Sequence, residues 1–174
     1  MKKIYIVLSY TGTFLSRIVK IYTHKEYSHV SISLDKNLEH MYSFGRRNAY
    51  NPFWAGFVQE SPHYGTFKRF KNAKTKIYSM EVTDEDYLKI QEMIKDFEKN
   101  RNQYAFNMLG LIMVMGDYHL KREKHFYCAE FVKYVLDNTS LELDLPEVIK
   151  PVDFEKVQGM KEVYTGIISE YDAM

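Results

Sequence analysis

A chain of 174 residues, 45% hydrophobic and 27% charged, has the length and balance of one globular domain over 1–174, able to bury a core without disulfides or a structural metal. Its 24 basic and 23 acidic side chains leave a net charge of +1, which excludes a global field drawing it onto nucleic acid or anionic lipid. The single cysteine excludes an internal disulfide and fits a reducing compartment, so a cytoplasmic protein is expected.

The opening MKKIYIVLSY predicts a buried strand over 3–10; polar Ser9, Thr11 and Thr13 follow too soon for a signal peptide. Residues 13–23 predict a first helix, with Phe14, Ile18 and Ile21 at helical spacing. HVSISL (29–34) alternates, with Val30, Ile32 and Leu34 on one face and His29, Ser31 and Ser33 on the other. LEHMYSF (38–44) alternates after an Asp-Lys-Asn turn and completes a hairpin. Residues 44–67 are irregular, with seven aromatics, three glycines and two prolines, and contain one short strand around GFVQE. Tyr50, Phe53 and Trp54, beside Arg46 and Arg47, make this aromatic loop the expected substrate-binding segment, or else a cover for the sheet edge.

KIYSMEV (76–82) predicts a strand, and the basic run KRFKNAKTK (68–76) before it reads as a solvated loop. Thr83 caps the next helix, Asp84, Glu85 and Asp86 favour its positive end, and Tyr87, Ile90, Ile94 and Phe97 form its buried stripe. An apolar helix follows over about 104–115; its MLGLIMVM core (108–115) is far short of the roughly 18 apolar residues of a membrane span. A last helix begins after Tyr127, and the tail LDLPEVIKPVDFEKV is expected to wrap the surface. Together these elements predict an α+β domain with an antiparallel sheet packed against helices.

Cys128 falls in the first turn of that last helix, on the stripe of Phe131, Val132, Val135 and Leu136. One reading makes it a small buried hydrophobe. The other makes it a nucleophile, since a helix N-terminus favours a thiolate and its free N–H groups can hold an oxyanion. A nucleophilic cysteine needs a base. Of six histidines, His29 stands out: it starts a strand on a face of small serines, which leaves room for a helix end, although a surface or hairpin histidine would read the same way.

SHVSI (28–32) followed by FYCAEFV (126–132) resembles the circularly permuted papain-like superfamily, whose relatives include NlpC-type amidases and lecithin–retinol acyltransferase-like proteins. The resemblance spans residues 4 to about 145, with these two motifs as anchors. It implies a fold in which the N-terminus of the cysteine helix faces the histidine strand. It also implies acyl transfer, with His29 deprotonating Cys128, the thiolate attacking an amide or ester carbonyl, and a thioester resolved by water or another acceptor. Relatives often carry a glutamate on the following strand to orient the imidazole. Here the segment reads MYSF (41–44), which aligns Ser43 with that position, His40 and Glu60 being the competitors.

The expected activity is therefore that of a cysteine hydrolase on an amide or ester substrate: a peptide, a cell-wall fragment or a lipid. The alternatives are a binding module without turnover, favoured by the missing acidic third residue, and a lipid acyltransferase, favoured by MLGLIMVM. His119, His125 and Cys128 do not have the spacing of a zinc motif, and no metal, cofactor, nucleic acid or transmembrane segment is expected.

Overall fold

Segments rich in Val, Ile, Tyr and Phe pair into one six-stranded antiparallel sheet in the computed structural model, which describes residues 1–13, 16, 17, 20, 21, 25–48, 51 and 54–172. The strands are β1 (Lys2–Tyr10), β2 (His29–Ser33), β3 (Met41–Arg46), β4 (Ala55–Glu60), β5 (Lys74–Val82) and β8 (Lys161–Ile167), in the order β4-β3-β2-β1-β5-β8. Two short strands, β6 (Ala105–Phe106) and β7 (His125–Phe126), form a separate parallel pair. The described helices include α1 (Gly65–Arg69), α2 (Asp84–Lys99), α3 (Met108–Met115) and α4 (Cys128–Asp137).

Alternation along the strands builds a core on each face of the sheet. Ile4, Ile6 and Leu8 of β1, Val30 and Ile32 of β2 and Phe44 of β3 meet Ile90, Ile94 and Phe97 of α2 and Phe131, Val132 and Val135 of α4. On the other face Tyr5, Val7, Met41 and Ile77 are covered by Phe67 of α1, Leu38 and Ile168. The larger core is knit by rings: Phe131 lies 5.5 Å from Phe44, 5.6 Å from Phe57 and 5.1 Å from Phe97, centroid to centroid.

The central helix follows its sequence signals. The Thr83 hydroxyl accepts from the Asp86 N–H at 3.0 Å, and Ile90, Ile94 and Phe97 are buried. Elsewhere the structure differs from expectation. The tail over 143–157 does not merely wrap the surface, since Ile149, Val152 and Phe154 are buried in the main core. Beyond it Lys161–Ile167 adds strand β8 to β5, an edge strand too exposed to show alternation. The apolar helix begins only at Met108, because 105–106 pair with 125–126 and Asn107 caps it by accepting from the Gly110 N–H. Residues 65–69 form a short helix where only loop was expected. Of the expected first helix, Phe14 and Ile18 lie outside the described residues, while Ile21 is helical but 66% exposed rather than part of a buried stripe. Tyr50 and Phe53 of the aromatic segment also lie outside the described residues, and its Trp54 is exposed. No described helix is long and apolar enough to cross a membrane.

Because Phe131 is fully buried among these rings, Phe131→Ala should cost about 3–5 kcal/mol through lost burial and a residual cavity. A urea titration by circular dichroism reads this as a lower midpoint.

Candidate active site

The histidine strand and the cysteine helix meet at one cavity of about 70 Å³, lined by both His29 and Cys128. The route by which they meet departs from the sequence reading. The body of α4 packs on the Val30 and Ile32 face of β2, not on the serine face. Cys128, at the tip of α4, comes to the beginning of β2, where His29 is the first residue. Ser31 and Ser33 serve other partners: Ser31 donates to Glu60 at 2.7 Å, and Ser33 to the His40 carbonyl at 2.9 Å.

The residue that holds the imidazole is Glu60, at the end of β4. Its Oε2 lies 2.9 Å from His29 Nε2 and also accepts from Ser31. The expectation for Ser43 is corrected here. Ser43 shares a sheet face with Glu60, since the β3–β4 register pairs Ser43 with Val58 and Met41 with Glu60. Its hydroxyl, however, donates to the Val30 carbonyl at 2.7 Å and braces neighbouring strands instead of the ring. His40, the other competitor, is exposed and lies 3.9 Å from Asp35. Glu60 was visible in sequence as an acid closing a short apolar strand, but only strand pairing could aim it across β3 at β2. That path is open because the intervening residue is Gly45: a Cβ there would sit 3.3 Å from His29 Cε1 and 3.8 Å from Glu60 Oε1. Sequence reasoning attached no role to Gly45.

The electrostatics follow from burial. The side chains of His29 and Glu60 retain only 19% and 8% of their exposure. Burial pulls the histidine pKa down, but the Glu60 charge, the adjacent Cys128 and the bond to Glu60 outweigh it, and the ring is pushed up. Burial conversely pushes Glu60 up, while the His29 charge and the hydrogen bonds from His29 and Ser31 hold it below the usual carboxylate range. Each partner thus keeps the other charged. With Nε2 on Glu60, the ring turns Nδ1 toward other groups, and Cys128 stands close enough to act on its protonation.

The N-terminus of α4 is fixed separately. Phe131 makes the first helical bond, to the Tyr127 carbonyl at 3.0 Å, so the Cys128 and Ala129 N–H groups stand outside the helical ladder. Glu130 reaches back to the Tyr127 N–H at 3.2 Å and accepts from Asn107 at 3.3 Å, tying α4 to the cap of α3. The Tyr127 hydroxyl donates to the Ile149 carbonyl at 3.0 Å. His119 sits beside Glu130 and Glu147, and His125 beside the Glu123 carbonyl. Among the described residues no group of three His, Cys, Asp or Glu side chains could hold a metal ion. The arrangement brings a thiol to an imidazolium, with a carboxylate behind the ring and, beside the sulfur, a backbone N–H outside the helical ladder.

Removing Glu60 strands a buried imidazolium, so Glu60→Ala should cost about 3–5 kcal/mol at neutral pH. The sign follows from linkage. Stability from the lowered Glu60 is lost as pH falls through its folded pKa, below the ordinary 4.5; stability from the raised His29 is lost as pH rises through its folded pKa, above the ordinary 6.5. Denaturant midpoints of wild type and Glu60→Ala should therefore differ most between the ordinary values of 4.5 and 6.5 and converge toward both acid and strong base. Ser43→Ala, losing one neutral hydrogen bond, should cost roughly 1 kcal/mol with no such pH dependence. No protein-family model matches this chain and no curated protein matches it, so its function is argued from this geometry.

Proposed function

We propose that the protein is a cysteine hydrolase of the permuted papain-like type, acting on an amide or ester bond. The observation that carries this reading is the single cavity in which Cys128, at a helix N-terminus, meets a His29 held by the buried Glu60. In this reading the thiol proton already resides on His29, so a Cys128 thiolate faces an imidazolium that the Glu60 carboxylate stabilises. The sulfur attacks the carbonyl carbon, and the Cys128 N–H receives the developing oxyanion. Collapse expels the amine or alcohol, which takes the proton from His29, and leaves a thioester. A water molecule, deprotonated by the same imidazole, then attacks the thioester and releases the acid.

The carboxylate behind the ring also bears on the rival reading. A binding module without turnover was favoured by a serine in the third position, and that argument lapses once Glu60 holds the ring. The antiparallel order of β1 to β4, with the histidine strand before the cysteine helix, supports placing the fold in the permuted superfamily.

Under this reading iodoacetamide should alkylate Cys128 well below about pH 8.5, where an ordinary thiol loses reactivity. His29→Ala should move the alkylation profile to higher pH. His125→Ala should leave it in place, although His125 is nearer in sequence, because its Nδ1 is engaged at 2.7 Å with the Glu123 carbonyl. Intact mass spectrometry with a panel of thiol-directed activity probes, run beside Cys128→Ala, reads the result. A cysteine that reacts only after the protein unfolds would overturn the proposal.

A further inference from the structure

The cavity beside Cys128 has an uneven chemistry. Thr11, Thr13, Ser16 and Ser28 supply hydroxyls, while Phe67, Met108 and Leu111 supply apolar walls. Its only carboxylate among the described lining residues, Glu60, is already engaged by His29 and Ser31. One further charge lines the cavity: Arg46, the last residue of β3, directly after Gly45.

Arg46 is half-buried, yet among the described residues its guanidinium makes no hydrogen bond or ion pair. It lies over the Phe70 ring, 5.5 Å from centroid to Cζ. Arg69, itself partnered, flanks the same ring at 5.3 Å, so a second positive charge reinforces the potential there. Burial lowers the Arg46 pKa from its ordinary value, the Glu60 charge opposing that only in part. A partly desolvated cation whose nearby carboxylate is already taken by His29 and Ser31 carries a cost that a ligand can remove, and a guanidinium stacked on a ring keeps its N–H edge for a carboxylate or phosphate. A second group in the same lining also lacks a partner among the described residues: the Ser28 hydroxyl, on a residue 8% exposed next to His29, makes no hydrogen bond to any of them.

We propose that Arg46 is an anion subsite of the cavity, and that the acyl substrate carries a carboxylate or phosphate which this guanidinium holds while its carbonyl lies at Cys128. The proposal rests on the cysteine-hydrolase reading and narrows it: neutral amides and esters are poor substrates and anionic ones are selected.

Paired alkylation of Cys128 tests it, using iodoacetate, which carries a carboxylate, against neutral iodoacetamide. The ratio of the two rate constants should favour iodoacetate in the wild type. It should fall by about tenfold in Arg46→Gln, the factor for one charge-assisted contact. Arg46→Lys, which keeps the charge but not the fork, should lie between them. Protection from iodoacetamide by inorganic phosphate points to a phosphate-bearing substrate, and protection by acetate to a carboxylate. The same ratio in wild type, Arg46→Gln and Arg46→Lys overturns the proposal and assigns any preference for iodoacetate to the His29 cation. Alkylation of Cys128 by both reagents in that case leaves the nucleophile reading standing, whereas a Cys128 that neither reagent modifies in the folded protein removes the nucleophile and the subsite together.

Discussion

The arrangement at the cavity depends on one buried ion pair, His29 with Glu60, joined at 2.9 Å across strand β3. Charges as sequestered as these are costly to desolvate, and they persist because each satisfies the other and Ser31 adds a further donor to the carboxylate. The pair fixes the ring orientation and holds the start of β2 against the end of β4, two strands that are not neighbours in the sheet. Gly45, the residue between them, leaves room for the imidazole. A side chain there would crowd the imidazole, whose Cε1 would lie 3.3 Å from its Cβ, and the ring would have to shift by a few tenths of an ångström.

A second polar network positions the other half of the site. Glu130 is a half-buried acid whose pKa burial pushes up, against the bonds it accepts from Tyr127 and Asn107. Asn107 also donates to the Leu120 carbonyl at 3.0 Å and caps α3. One carboxylate and one amide thus lock the beginning of α4, the beginning of α3 and the loop between them. The cysteine is placed by this cluster and the histidine by its ion pair, and the shared phenylalanine core holds the two halves together.

The apolar helix α3 has two roles that its sequence could not separate. Leu111 and Val114 are buried in the main core, and Leu111 and Met108 also line the cavity. Leu109 and Ile112 remain more than half exposed. Uniform hydrophobicity along MLGLIMVM concealed which side faced inward, since a helix apolar on all sides has no polar stripe to mark its outer face.

Local sequence determined the elements whose signals are local: the alternation of β1 and β2, the Thr83 cap and stripe of α2, and the stripe of α4 with Cys128 at its first turn. It also marked His29 and Cys128 through two short motifs 99 residues apart. The third position stayed open between Ser43, His40 and Glu60, because an orienting carboxylate is chosen by strand pairing, and pairing register is a property of the sheet and not of any segment. Ser43 occupied the expected place along the chain, yet its hydroxyl found the Val30 carbonyl, while Glu60, further along the chain, reached the ring. The edge strand β8 escaped notice for a related reason: its order comes from hydrogen bonds to β5, which an exposed sequence does not announce. What tertiary structure alone decided was which polar groups share a buried space, because desolvation favours combinations in which the groups satisfy one another.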